Sequence, residues 1–360
     1  MRLSRWVLAV VSLFLLAGCG SSLENSDAPA APTEERIAEF FMPDAEGVVV
    51  EENFSKDPQY DTVAEAFEAR DQGVQTQGVM GSDKVQIRTH TFSNGEKYTY
   101  TVYNGIVFDG DVIEGTTKEL QEAIATYETQ LAEGSDAITT QGAMYDPFCA
   151  SRFLFICGER RGGGWPGGIL YVDTNSLNIF TRNQRDDIIA ALNEIDARTQ
   201  VTVKYRTTDY RVKFTNNSDG CYAVPGRSSK QPQILNLADS CFRTKFRTGT
   251  ISDVGTIVHE IGHSLGLMHE HQRTDRDSFI VVNRSNLTSK GLDAMKPKYD
   301  HESRTTYDYA SIMHYPRTTG DDTFVKSTRE PLLTIVGSYT GVVGGSVLTA
   351  RDIQAINTRY

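Results

Sequence analysis

The sequence of 360 residues has no run of basic residues and no stripe interleaving them with aromatics, so nothing in it speaks for binding nucleic acid. It also offers no opening apolar run long enough to span a bilayer comfortably, since Trp6 to Leu16 is too short. Hydrophobic residues make up only 39% of the chain, low for a wholly packed protein, so part of it is expected to be solvated. Cysteine is scarce, with five in all, and one of these stands at position 19, apart from the rest.

The short apolar run follows Arg2 and Arg5 and ends in Leu16-Ala17-Gly18-Cys19, which fits an export signal. Those last four residues resemble a bacterial lipobox, in which Cys19 becomes the lipid-modified first residue of the mature chain; an ordinary secretory signal ending by chance in cysteine is the alternative. Gly20 is not the aspartate that often holds lipoproteins at an inner membrane. The expectation is an exported chain, lipid-anchored at a bacterial membrane or cell surface, or released from it after processing. After export the other four cysteines are free to pair. Cys221 with Cys241 and Cys149 with Cys157 is the favoured pairing, and sequence alone permits two others.

Residues 20–60 carry tether composition, as in SSLENSDAPAAPTEER, and are expected to be largely disordered. The net charge is −11, with the acidic side chains concentrated before residue 160 and a mildly basic remainder, which makes docking of one half on the other plausible. Within 61–160, VQIRTHTF and KYTYTVYNGIVF are β-rich runs around Ser93-Asn94-Gly95-Glu96, a hairpin signal. Thr117 to Leu131 follows at helical spacing through Leu120, Ile124, Tyr127 and Leu131, up to Gly134. These elements read as a small α+β accessory region.

GERRGGGWPGG, Gly158 to Gly168, suits either an activating cut or a glycine linker between domains. A strand (Ile169 to Val172), a helix (Arg182 to Arg198, with Ile188, Ile189, Leu192 and Ile195 as its apolar stripe) and a strand (Val201 to Tyr205) predict a twisted sheet with a helix on its face. Gln233 to Leu237 reads either as an edge strand, open to a peptide, or as an interior strand.

The richest stretch is His259 to Asp277, HEIGHSLGLMHEHQRTDRD. On a helix, His259 and His263 project from one face and can hold one metal ion. Glu260 can reach a water at the metal without joining the ligands. Gly266 permits the positive φ that turns the chain back and brings His269 to the site. Three neutral imidazoles and an open position are the arrangement of catalytic zinc, one ion per chain, and point to hydrolysis.

The extended pattern HExxHxxGxxHExxRxDRD resembles that of the astacin family of zinc endopeptidases, within the metzincin group. Tyr307-Asp308-Tyr309-Ala310-Ser311-Ile312-Met313-His314-Tyr315 resembles the family's Met-turn. Trp165-Pro166-Gly167-Gly168 resembles the start of its catalytic domain, the Cys221 to Cys241 spacing one of its disulfides, and LTARDIQAINTRY its C-terminal helix. The resemblance implies an α+β, two-lobed protease domain over 161–360, with a twisted sheet and helices above the cleft and an irregular C-terminal lobe. It implies that Met313 forms an apolar floor under the metal, that Tyr315 stabilises the oxyanion, and that Glu270 anchors the N-terminus freed by processing. Phe108-Asp109-Gly110-Asp111 resembles the family's propeptide motif, which makes 61–160 a propeptide and Asp111 the switch that closes the metal's open position; Cys157 is its rival if unpaired. Arg273, Asp275 and Asp277 are read as a charged network, and His271 and His314 as packing or hydrogen-bonding residues. Two departures stand out: Gln200 replaces a usual cysteine, and no cysteine lies near Tyr360.

The expected function is a zinc endopeptidase acting on protein or peptide substrates, as a monomer. The rivals are a binding module that retains zinc and a zinc hydrolase of a non-peptide amide.

Overall fold

Asn-Gly steps and one buried ion pair organise the front of the chain. In the computed structural model the described residues are 48–49, 51–71, 85–132 apart from 96, 164–218, 220–228, 231–242, 254–297, 305–320 and 323–360. The signal segment with Cys19, the cysteines 149 and 157, Gly134, the arginines 160 and 161 and most of the expected tether lie outside them.

Strand β1 (Val48–Val49) runs parallel to β2 (Gln86–Thr91), and helix α1 (Val63–Asp71) lies between them in sequence. Packed chain therefore begins before the Tyr60 boundary expected for the tether. The reason is Asp57, whose carboxylate takes both guanidinium arms of Arg88 at 2.6 Å in a buried setting. An ion pair reaching across 31 residues leaves no local trace in composition.

β3 (Lys97–Tyr103) follows β2 as an antiparallel partner through the turn at Gly95, which has φ +87°. The β-rich run from Lys97 to Phe108 is two strands, because Asn104 and Gly105 both take positive φ and fold β4 (Ile106–Asp109) back on β3. β5 (Val112–Thr116) and helix α2 (Thr117–Ala132) complete the region. Leu120, Ile124 and Tyr127 of α2 pack against Phe92, Tyr100 and Val102 in a core of their own, as the helical spacing predicts.

The back half opens with Trp165, whose buried indole donates to the Ser264 carbonyl at 2.8 Å. β6 (Ile169–Asp173), α3 (Arg182–Arg198) and β7 (Thr202–Arg206) form the predicted strand, helix, strand unit, with parallel β6 and β7 and a capping box of Thr181 and Gln184 at the start of α3. β8 (Val212–Thr215), β9 (Cys221–Ala223) and β10 (Gln233–Leu237) fill out the sheet. The strand order is β1-β2-β3-β4-β5-β9-β10-β8-β6-β7, so β10 is an interior strand between β9 and β8 and the edge-strand expectation falls. The disulfide Cys221–Cys241 ties β9 to the turn after β10.

Helix α4 (Gly255–Ser264) is buried on nearly every side against α3, β9 and β10, in the core that also holds Ile188, Leu192, Ile195, Met313 and Ile356. β11 (Ile280–Val282), α5 (Ser289–Ala294) and β12 (Leu333–Ile335) are spaced by long irregular stretches around a second core with Leu287, Tyr307 and Phe324, and α6 (Ala350–Arg359) returns to the first core through Ile356. This is the expected α+β architecture. Where the resemblance would have a second disulfide, the backbone N–H of Gln200 donates to Asn357 Oδ1 of α6 at 2.7 Å. Among the described residues no helix is long and apolar enough to cross a membrane.

Candidate metal centre

One helix turn brings His259 and His263 onto the same face of α4, with ring centroids 4.7 Å apart. Gly266 then takes φ +91° and turns the chain, and His269 follows in extended backbone. The positive φ strains any other residue at this turn, and a Cβ at Gly266 would also have to displace the Arg359 guanidinium, 2.6 Å away. His259, His263 and His269 converge with Asp111, all four buried, with one ligand atom of each within 4.8 Å of the others.

Each histidine is oriented through its other nitrogen. Nδ1 of His259 lies 2.7 Å from the Ile312 carbonyl, that of His263 2.8 Å from the Leu267 carbonyl, and that of His269 3.0 Å from Gln272 Oε1. In each case Nδ1–H donates, which fixes the tautomer whose Nε2 lone pair faces the common centre. Burial pushes the His259 imidazole down to about 4, so it is neutral and able to ligate. Three nitrogens aimed in this way fit a zinc ion.

Glu260 is fully buried, and neither of its oxygens meets a hydrogen-bond partner among the described residues. Burial, and then the Asp111 charge, push its carboxyl well above the usual range. An orphaned buried carboxylate beside three imidazoles is what a water-activating metal site requires.

Asp111 comes from the tight turn between β4 and β5. Its carboxylate lies 2.9 Å from His269 Nε2, 3.3 Å from His259 Nε2 and 3.6 Å from His263 Nε2. Burial works against its charge, but the pull of His269 holds it well below the ordinary carboxylate range. The backbone is held as well, since Ala223 N–H of β9 donates to the Asp111 carbonyl at 3.1 Å, next to the Val112 and Ala223 pairing of β5 with β9.

The Met-turn lies under this group. Met313 Sδ would be 3.0 Å from a Cβ on Gly262, the residue before His263, so Gly262 and Met313 fit each other. Tyr315 is buried, with its ring 4.9 Å from that of His269 and stacked on His271 at 3.8 Å, and its hydroxyl faces Gly110. His271 and His314 do not join the cluster: the first is near the Ala294 carbonyl and the Tyr315 amide, the second near the Tyr315 carbonyl and Tyr307 Oη.

Glu270 turns away from the histidines and accepts from Arg273 Nη1 at 2.8 Å and Asp308 N–H at 2.7 Å. Arg273 also clamps Asp275, and Arg276 donates to Asp277. Sequence reasoning misses three residues here. Gln272 is wholly buried and aims His269 while donating to the Ala294 carbonyl at 2.8 Å. Arg276 is buried and donates to the His271 and Met295 carbonyls. Asp352 caps α6, accepts from Ser311 Oγ and the Ile312 amide, and so positions the carbonyl that aims His259. The capping sequence Thr349-x-x-Asp352 is the one signal available.

A family model described as astacin, a peptidase family, matches residues 160–360. Bone morphogenetic protein 1 of Xenopus laevis is 31% identical over 200 residues, which are 52% of this chain and 26% of that protein. Astacin-like metalloprotease toxin 1 of Loxosceles intermedia is 31% identical over 170 residues, 46% of this chain and 58% of the toxin. The chain thus spans about a quarter of the first relative and somewhat over half of the second. Among solved structures, high choriolytic enzyme 1, a hatching enzyme zinc-protease of Oryzias latipes, aligns at 25% identity and a TM-score of 0.44, over 60% of this chain and 97% of that one.

Proposed function

The chain belongs to the astacin family, as a zinc metalloendopeptidase whose peptidase domain takes up residues 160–360, and from that premise we propose that it is exported and made latent, with Glu260 as general base and Asp111 as the inhibitory group. The observation that carries this reading is the Asp111 carboxylate seated among the Nε2 atoms of His259, His263 and His269. A substrate carbonyl needs that same place.

His259, His263 and His269 would hold the zinc. When bound there, zinc acidifies water and polarises the scissile carbonyl. Glu260 takes a proton from the attacking water and passes it to the leaving amine, a role suited by its buried place beside the three imidazoles with no other hydrogen-bond partner among the described residues. Tyr315 donates its hydroxyl proton to the carbonyl oxygen as negative charge grows there. In the uncut chain that hydroxyl faces Gly110, so withdrawal of the β4 to β5 turn frees both Tyr315 and the metal's open side. Met313 supports the histidines from below, and Glu270 exchanges a present partner for the new N-terminus after a cut near Arg160 and Arg161. Cys19 carries the lipid that holds the enzyme at a bacterial membrane, residues 20–47 are the tether, and the enzyme acts as a monomer on protein or peptide chains.

The test is zinc-dependent proteolysis by the lipid-free chain from Ser21, before and after limited trypsin treatment. Latency should be relieved once trypsin has digested the front region as well as the connection, and be already absent in Asp111→Ala. Glu260→Gln should keep its zinc and lose about 1,000-fold in turnover. Undiminished turnover in that variant would remove Glu260 from the mechanism.

A further inference from the structure

The contacts of residues 48–132 reach well beyond Asp111. We infer that this region is a folded inhibitory domain whose docking surface spans both lobes of the protease, so that a single cut within residues 133–163 leaves the two pieces associated and latent. The latency rests on the Asp111 reading above; the association does not.

The domain has the means to persist after a cut. Phe92, Tyr100, Val102, Leu120 and Tyr127 form its own core, and the Asp57 and Arg88 pair closes within it. Neither involves the protease. Severing the connection therefore leaves both of these in place.

Its grip on the upper lobe is apolar. Phe67 of α1, Phe108 and Ile113 share a buried cluster with Tyr222, Val224 and Ile234, which lie on or beside β9 and β10. The Tyr222 ring is 5.7 Å from that of Phe67 and 5.5 Å from that of Phe108. Departure of the domain would bring three buried apolar side chains, Tyr222, Val224 and Ile234, into water, which opposes release. Lys213 adds an outer contact to Glu68 at 4.0 Å.

Its grip on the lower lobe is polar. Thr101 Oγ1 donates to Asp293 Oδ2 at 3.3 Å, and Lys296 Nζ donates to the Thr99 carbonyl at 3.2 Å, both joining β3 to the α5 region. Two footholds on opposite lips of the cleft act as one bivalent ligand: losing the tether lowers the effective concentration, but letting go of either lip leaves the other engaged. Activation then needs a second event, digestion or unfolding of the domain itself.

The experiment uses the full lipid-free chain with a specific protease site placed within residues 133–163, cut to completion and passed over a sizing column with zinc present. The expected result is co-elution of both pieces at micromolar concentration without peptidase activity. The paired variant Phe67→Ala with Asp293→Ala should weaken association by ~100-fold or more, so that the pieces part and activity appears. Since Phe67→Ala also touches the domain's packing, Asp293→Ala with Lys296→Ala tests the lower foothold from the protease side, and should speed release. Prompt separation of the cut wild-type pieces, with the front piece still folded by circular dichroism, overturns the docking surface. Co-elution with full activity overturns the latency and with it the Asp111 reading.

Discussion

The front half of the sheet and the metal centre use charged and polar side chains to opposite ends. In the front half they close on each other: Asp57 with Arg88, and Glu52 with both His90 at 2.6 Å and Tyr100 at 2.5 Å. At the metal centre they converge instead on one point, with Nδ1 of each histidine tied down and each Nε2 facing the centre, although β8 and β10 also close a buried pair, Thr215 with Asn236 at 2.8 Å. Asp111 breaks the front half's habit, since its carboxylate faces the three histidines of the other half. Closed pairs make a scaffold that folds for its own sake. A converging set of lone pairs makes a site that wants a cation.

The largest test of this contrast removes a closed pair. Asp57→Ala strands the buried Arg88 guanidinium and should cost the front half about 3–5 kcal/mol. Hydrogen exchange in β2 to β4 should quicken strongly while that in α3 and α4 stays slow. Equal loosening of both halves would show that the sheet folds as one unit and that the division is false.

A smaller effect is expected in the lower lobe. Asp352→Ala removes the carboxylate that accepts from the Thr349 amide at the start of α6, together with the bonds from Ser311 and the Ile312 amide, and should destabilise the back half by about 2–3 kcal/mol. Because the Ile312 carbonyl orients His259, zinc affinity should fall as well. A stable variant with unchanged zinc affinity would separate the Met-turn from ligand aiming.

How far the sequence can be read follows the same contrast. His259, Glu260, His263, Gly266 and His269 are legible because a helix repeats every few residues and a glycine marks where it ends. The hairpin at Gly95 and the helix α2 are legible for like reasons. Asp57 reads as tether because its partner lies far along the chain, and the β-rich run to Phe108 hides a second turn at Asn104 and Gly105. The position of β10 inside the sheet depends on β9, a strand of only three residues with no alternation to announce it. Gln272 escapes notice because a buried amide between charged neighbours looks like surface until the fold closes around it.

Gln272 offers the next test. Gln272→Leu keeps the volume but leaves the His269 imidazole without its orienting acceptor, and such losses cost ~10–100-fold in metal affinity. Competition with a chelator should show that drop in the trypsin-treated enzyme, and Gln272→Glu, which keeps an acceptor, should recover most of it. If Leu and Glu behave alike, Gln272 only fills space.

The smallest expected effect concerns Glu270, where the back half itself departs from good pairing. Burial raises its carboxyl to about 7 from the ordinary 4.5, against the pull of Arg273. The sign follows from proton linkage: the folded state holds the proton more tightly than the unfolded one, so stability contributed below about 4.5 is lost as pH rises to about 7. The side chain keeps 14% exposure, and the guanidinium of Arg273 at 2.8 Å screens the charge, so the loss should be on the order of 1 kcal/mol. Glu270→Gln keeps an oxygen for the Asp308 amide and cannot ionise. Its melting temperature, followed at pH 5 and pH 8 against the wild-type chain, should show a shallower fall across that window. Parallel curves would mean that Glu270 is charged throughout, already balanced by Arg273, and that the back half closes its pairs as fully as the front.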